Sequence, residues 1–185
     1  MKKSVLRERN NQSIELDIVI YTERLYMIGG IESWTYYVCK KYNIGQITVL
    51  YKHGDQQQLA RLNDVVKTMQ YTGQNIHCRK IIFPAPVWVT QELCDMADYK
   101  YLVNHCNYGN PNNTEVFELP KLDGIYAVSD VCKDSCKRRM IGDIVTLYNP
   151  VEIKAPKKVL KLVSGTRWSK RKRKRANVKA CGYVR

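Results

Sequence analysis

The sequence predicts an α/β fold, a parallel sheet with helices on both faces. Two observations predict it. Apolar runs of strand length alternate along the chain with stretches whose apolar residues fall at helical spacing. The first run is apolar almost throughout, as expected of a central strand buried on both sides. The apolar fraction, 44% of 185 residues, suffices for a globular core and argues against wholesale disorder.

The elements follow in order. "ELDIVIYTE" (residues 15–23) reads as the first strand. A glycine pair, Gly29-Gly30, follows it. Ile31, Trp34, Tyr37, Val38 and Lys41 then share one helical face, with the Lys stem able to cover apolar surface. "GQITVLYKHG" is a second strand. "DQQQLARLNDVVKTMQ" opens on an Asp cap and places Leu59, Leu62, Val65, Val66 and Met69 on one face of a predicted helix. "QNIHCRKIIFPA" is a third strand, stopped at Pro84, and "PVWVTQ" reads as a short fourth. "YKYLVNHC" is a strand running into the loop "NYGNPNN". "GIYAVSD" is another, and its Ser129-Asp130 starts the helix "VCKDSCKRRM". "DIVTLYNPVEI" closes the series. The strand–helix alternation makes the predicted domain Rossmann-like, with right-handed crossovers. Its expected bounds are residues 14–150, after an N-terminal extension at 1–13. "NPVEIKAPKK" marks a linker at 151–158, polar and broken by proline. "VLKLVSGT" begins something new at 159–169, and a basic tail fills 170–185.

The formal net charge is +14, unevenly spread. Residues 170–185 hold eight Lys or Arg and no acid, leaving +6 for residues 1–169. The folded part is mildly basic, and the tail creates much of the imbalance. Seven cysteines, at 39, 78, 94, 106, 132, 136 and 181, form no C-x-x-C pair. Several lie in apolar runs and read as reduced core thiols of a cytoplasmic protein. Cys132 and Cys136, four apart, would put two thiols on one helix face, but no second pair completes a metal site, so no metal is expected. No segment reaches the ~18 apolar residues needed to span a bilayer. "MKKSVLRERNNQ" has a signal peptide's charges without the apolar region that should follow.

In doubly wound sheets, ligands bind beyond the carboxyl ends of the strands. The candidates are therefore the residues just after each strand. Gly29 and Gly30 permit close backbone approach, and free N–H groups at a helix start attract anions. The spacing is not G-x-G-x-x-G, and a Gly-Gly pair is often just a turn. Glu32 is most simply an acid interacting with the helix dipole. His105 ends a strand at the rim of the expected cleft. Its plain reading is a partly buried histidine bonded to backbone, its functional reading a ligand contact. His53 and His77 have no such placement. Asp130 belongs to the cap of its helix. There is no G-x-S-x-G, H-E-x-x-H or P-loop.

"IYTERLYMIGGIESW", "IYAVSDVCKDSCKRRMIGDIVTLYNPVEI" and "LKLVSGTR" together resemble the N-terminal domain of retaining GT-B glycosyltransferases of the family-four type. The landmarks are a Gly-Gly-x-Glu loop (Gly29 to Glu32), a Val128-Ser129 strand end before an Asn149-Pro150-Val151 hinge, and Ser164 to Arg167 opening a second domain. They cover most of residues 16–169 in the family's order. The resemblance implies two Rossmann-like domains around a cleft, this chain carrying the N-terminal half, the acceptor side. The activity implied is transfer of a sugar from a nucleotide-sugar donor to a glycan or lipid-linked acceptor, with retention and without a further cofactor. It assigns Gly29, Gly30 and Arg167 to the donor phosphates, His105 to the donor sugar, and Glu32 to the acceptor side. A cytoplasmic location, with peripheral contact at the anionic inner membrane face, fits that chemistry. The family's "EKG" lysine, its E-x7-E segment and the rest of the donor domain have no counterpart here.

The tail bears on that difference. Where the family continues "SGTRLSKEKG", this chain has "SGTRWSKRKRKR". If Lys is AAR and Arg is AGR, reading from Lys170 one base out of register permits Lys-Glu-Lys-Gly followed by a helix-like apolar period. The tail is therefore expected to be an out-of-frame remnant, leaving a truncated, inactive form of the transferase. The DNA checks this: an early stop in the other frame, or no E-x7-E domain there, refutes it. The competing reading is a basic-tailed binding module for nucleic acid or an anionic membrane. Tyr183 is the tail's single aromatic, too few for base stacking, which disfavours nucleic acid.

Overall fold

The structure is a computed structural model that describes residues 13–26, 29–43, 45–108, 116–140 and 142–150. Contacts divide the chain into one unit at 1–151 and another at 152–185. The linker, the strand expected at 159–169, Arg167 and the basic tail lie outside the described residues.

Among the described residues, seven parallel strands form one sheet in the order β3-β2-β1-β4-β5-β6-β7. They are β1 (Ile14–Leu25), β2 (Ile47–Gly54), β3 (Lys67–Gln70), β4 (Ile76–Phe83), β5 (Ala97–Asn104), β6 (Gly124–Ala127) and β7 (Ile144–Thr146). This is the Rossmann-like α/β fold that the strand–helix alternation predicts. β1 is central and pairs with β2 through Ile20↔Val49 and with β4 through Ile20↔Ile82. The order reverses between β1 and β4, so a crevice is expected beyond their carboxyl ends.

Successive residues of a strand point to opposite faces, and the core divides accordingly. Val19 and Tyr21 pack on one face with Leu50, Ile81, Phe83 and Leu102. That face is covered by α3 (Gln91–Asp95) through Leu93 and Cys94, and by α4 (Asp130–Cys136) through Cys132 and Cys136. Ile20 and Leu25 pack on the other face with Val49 and Val103. There α1 (Gly30–Tyr42) contributes Trp34 and Cys39, and α2 (Gln56–Asn63) contributes Leu62. Phe83, Ile20, Leu25 and Leu50 are fully buried. Each stabilises the fold by about 1.5–3 kcal/mol relative to an exposed position.

Local chemistry sets the element ends. Asp55 caps α2, its carboxylate accepting from Gln58 N–H at 2.8 Å. Lys40 and Lys41 stand in the last turn of α1, where the helix dipole favours cations. Asn43 then stops α1. Its Nδ2 donates to Val65 O at 2.8 Å, and its Oδ1 accepts from Gly45 N–H at 3.0 Å. Gly45 takes the left-handed turn there, at φ +83.

Two expectations need correction. The helix predicted over residues 55–70 ends at Asn63, and Lys67–Gln70 is strand β3. Val65 and Val66 are β-branched and leave the helix after the Asp64 cap, and Thr68 and Met69 then pair with Val49 and Leu50. "PVWVTQ" is not a strand. Pro86–Trp88 is a 3-10 turn with Pro86 at its start, and Thr90 Oγ1 caps α3 by accepting from Leu93 N–H at 3.3 Å.

At the amino ends of the strands His77 lies between two carboxylates. Nδ1 is 2.9 Å from Glu15 and Nε2 is 3.1 Å from Asp98. The hydrogen bond to Glu15, then that to Asp98, raises the imidazole above its ordinary 6.5. A raised histidine stabilises the fold at low pH, and the effect is lost as pH rises through its folded value. NMR titration should show His77 above 6.5, falling toward that value in Glu15→Gln. A histidine titrating at its ordinary value would contradict the geometry.

Candidate functional site

The carboxyl edge gathers most of the residues singled out in the sequence. After β1, α1 begins at Gly30 with Gly29 as its N-cap. The first N–H groups of a helix lack intrahelical partners and favour an anion. Glu32 supplies one from within. Its Oε2 accepts from Gly29 N–H at 3.0 Å, while Ser33 N–H donates to Gly29 O at 3.0 Å. The plain reading of Glu32, an acid at the helix start, is thus the one the geometry displays.

The two glycines differ. A Cβ at Gly29 would lie 2.5 Å from Glu32 Oε2, so glycine there lets the carboxylate fold back. A Cβ at Gly30 would meet nothing within 4 Å among the described residues. Gly29→Ala should therefore lose the Glu32 cap and about 1 kcal/mol. Gly30→Ala should be neutral or stabilising by up to about 1 kcal/mol, since alanine is the better helix residue. Urea denaturation of both variants checks this, and equal losses would contradict it.

His105 follows the last residue of β5. Its ring stands edge-on to the Trp34 indole, centroids 4.9 Å apart and planes at 68°. Trp34 is itself buried against the sheet. The α1 helix that starts at Gly30 and the strand that ends before His105 are thereby joined through one aromatic contact. Nε2 of His105 is buried and has no hydrogen-bond partner among the described residues. Burial lowers the imidazole to about 4, so it is neutral near pH 7. It carries no positive charge, and its Nε2 is shielded from solvent. The role of Trp34 was not legible in the sequence, where its spacing marks only a core position.

The loop after His105 is fixed from below. Buried Asn104 donates from Nδ2 to Cys106 O at 2.7 Å and to Cys136 Sγ at 2.8 Å. Its Oδ1 accepts from Cys106 N–H at 3.2 Å. Ser135 Oγ accepts from Tyr108 N–H at 3.1 Å. Sequence reasoning missed Asn104, although a polar residue ending an apolar strand is a signal for such a turn.

Ser129 caps α4, accepting from Cys132 N–H at 3.2 Å. Asp130 does more than begin the helix. It accepts from the hydroxyls of Thr146 at 2.6 Å and Tyr148 at 2.7 Å, which hold its carboxyl below the usual range. Cys132 and Cys136 are both buried in the core, and burial pushes the Cys136 thiol up to about 11. Among the described residues no group of three or more His, Cys, Asp or Glu side chains is placed to hold a metal. No helix among them is long and apolar enough to cross a membrane. Arg167 cannot be placed at this edge, lying outside the described residues. What the edge offers chemically is a helix start with a bare backbone at Gly30 and a neutral imidazole, that of His105, packed against Trp34 of the same helix. No family model, curated protein or solved structure matches the chain.

Proposed function

We propose that this chain carries the acceptor-side domain of a retaining GT-B glycosyltransferase of the family-four type. Its reaction is transfer of a sugar from a nucleotide-sugar donor to a glycan or lipid-linked acceptor. One observation supports the reading: Trp34 of α1, the helix that Gly30 opens, packs against His105 at the end of β5, in a sheet whose strand order reverses between β1 and β4.

In this reading the start of α1 faces the donor diphosphate, and the bare Gly30 backbone admits it closely. Stabilising the leaving diphosphate is the principal electrostatic task of such a transfer. The neutral imidazole of His105 contacts the donor sugar. Glu32, on the acceptor side in this reading, also shapes the Gly-Gly loop by accepting from Gly29 N–H. Arg167 and a second domain complete the diphosphate site. Gly30→Ala then weakens donor binding without destabilising the fold, which separates a ligand role from a turn.

A transfer assay tests the proposal. The full chain is supplied with a donor-binding domain in frame and offered a panel of nucleotide sugars. Transfer is expected with the added domain and not without it. His105→Ala lowers turnover about fivefold to tenfold, the scale of one lost neutral hydrogen bond. Absence of transfer from every donor, or a fully active His105→Ala, contradicts it.

Charge favours a second reading, a binding module whose tail of eight cations contacts an anionic membrane or nucleic acid. Its mark is an affinity that falls with salt and with deletion of residues 170–185.

A further inference from the structure

Three thiols gather around the turn after β5, and none of the roles above uses them. Of the six described cysteines five are buried, and Cys106 is the exception. It follows His105 directly and stands outside any helix or strand. α4 turns its two cysteines toward this turn. Cys132 Sγ donates to His105 O at 4.0 Å. Cys136 Sγ accepts from Asn104 Nδ2 at 2.8 Å, and the same nitrogen donates to Cys106 O at 2.7 Å. The Cys106 thiol is hydrogen-bonded to the Tyr108 hydroxyl. A single amide nitrogen thus stands between the Cys136 sulfur and the Cys106 backbone.

Geometry selects the pair. Side chains four apart on a helix have Cβ atoms about 5–6 Å apart. A disulfide needs about 3.5–4.5 Å. Cys132 and Cys136 therefore do not bridge while α4 is intact. No helix or strand ladder holds Cys106, so its turn can close on α4. Of the two α4 thiols, Cys136 is the one that Asn104 ties to Cys106. Burial chiefly, then Cys132 and more weakly Cys106, push the Cys136 thiol up to about 11. Cys39 and Cys78 sit deeper in the core, where burial pushes each to about 12 and leaves them inert.

We infer that Cys106 and Cys136 form a modification site for low-molecular-weight disulfides of the oxidised-glutathione class, and that the reversible bridge they form displaces His105 from Trp34. The Cys106 thiolate attacks one sulfur of oxidised glutathione, giving a mixed disulfide and one glutathione thiolate. The Cys136 thiolate then attacks the Cys106 sulfur, and the second glutathione leaves as thiolate. Two protein thiols lose two electrons, glutathione disulfide gains them, and the two thiol protons pass to the released glutathione. The second step is the slower, because little of Cys136 is thiolate near pH 7. Closure removes the Asn104 amide from between the bridging residues. His105 lies between Asn104 and Cys106 in the chain, so its ring leaves the Trp34 edge. None of this rests on the transferase reading.

The test uses the full chain with Cys181→Ser, which removes the one thiol outside the described residues. It is equilibrated with oxidised and reduced glutathione, quenched in acid, alkylated and mapped by peptide mass spectrometry. A Cys106–Cys136 peptide pair is expected, lost on treatment with dithiothreitol and absent from Cys106→Ser. Cys39, Cys78 and Cys94 should stay alkylated throughout. In the oxidised chain the His105 imidazole, held at about 4 when the thiols are reduced, should titrate closer to 6.5, and Cys106→Ser should abolish that change. The mapping needs no substitution in the core, so a misfolded variant does not blunt it. A mixed disulfide that stays on Cys106, a bridge to Cys132, or a bridge that forms only in urea overturns the inference. So does a Cys106–Cys136 bridge that leaves the His105 titration unchanged.

Discussion

Trp34→Ala is expected to lower the unfolding free energy by about 3–5 kcal/mol, the usual cost of emptying a large aromatic site in a core. Trp34 is 7% exposed and packs with Ile20, Leu25 and Cys39 between α1 and the sheet. Rigid strands on one side and a helix on the other limit how far the site can collapse. The same substitution removes the ring against which His105 stands. Water then reaches the imidazole, which should titrate closer to its ordinary 6.5. Urea denaturation and a histidine NMR titration read the two effects separately. Trp34→Phe, which keeps part of the apolar wall, should lose less. A loss below about 1 kcal/mol for the alanine variant would mean that Trp34 is not the joint between α1 and the sheet.

His105 makes stability depend on pH in a definite direction. Its folded value, about 4, is depressed from 6.5 by burial. A depressed histidine contributes stability that is complete above the unfolded value and is lost as pH falls toward the folded one. Between about pH 7 and about pH 5 the loss is about 2 kcal/mol, since each pH step of one below the unfolded value costs about 1.4 kcal/mol. His77 acts oppositely over part of this range, since its value is raised. The difference between the parent chain and His105→Gln therefore isolates the effect. The parent should weaken on acidification, and the variant should lose about 2 kcal/mol less. Parallel pH profiles would show that the imidazole is already protonated or well solvated in the folded chain.

The central strands were legible because burial on both faces leaves near-continuous apolar runs, as around Val19, Ile20 and Tyr21 in β1. The edge strand β3 was not. Its burial is partial, and Leu59, Leu62, Val65, Val66 and Met69 happen to satisfy a helical period. β-Branching at Val65 and Val66 was the weaker signal, and pairing with β2 decided the outcome. Pro86 suited a strand edge as well as a turn start, so local chemistry alone did not settle that segment. The placement of Gly29, Gly30, Glu32 and His105 at the carboxyl edge was legible because each follows a strand-like run. Which of the two glycines the fold itself needs was not, since that turns on the position of the Glu32 carboxylate. The contact of Trp34 with His105 and the hydrogen bond from Tyr71 to Glu92 join residues far apart in sequence, and helical or strand periodicity carries no information on them.

The central proposal is that the carboxyl edge carrying the start of α1 and His105 is a nucleotide-sugar site. Titration of the isotope-labelled chain with millimolar nucleotide sugars, followed by amide and imidazole NMR, tests it most directly. Saturable shifts should cluster at Gly29, Gly30, Glu32 and His105, and Gly30→Ala should weaken them while leaving the fold intact. Shifts confined to the amino edge around His77, or none for any nucleotide sugar, would contradict it.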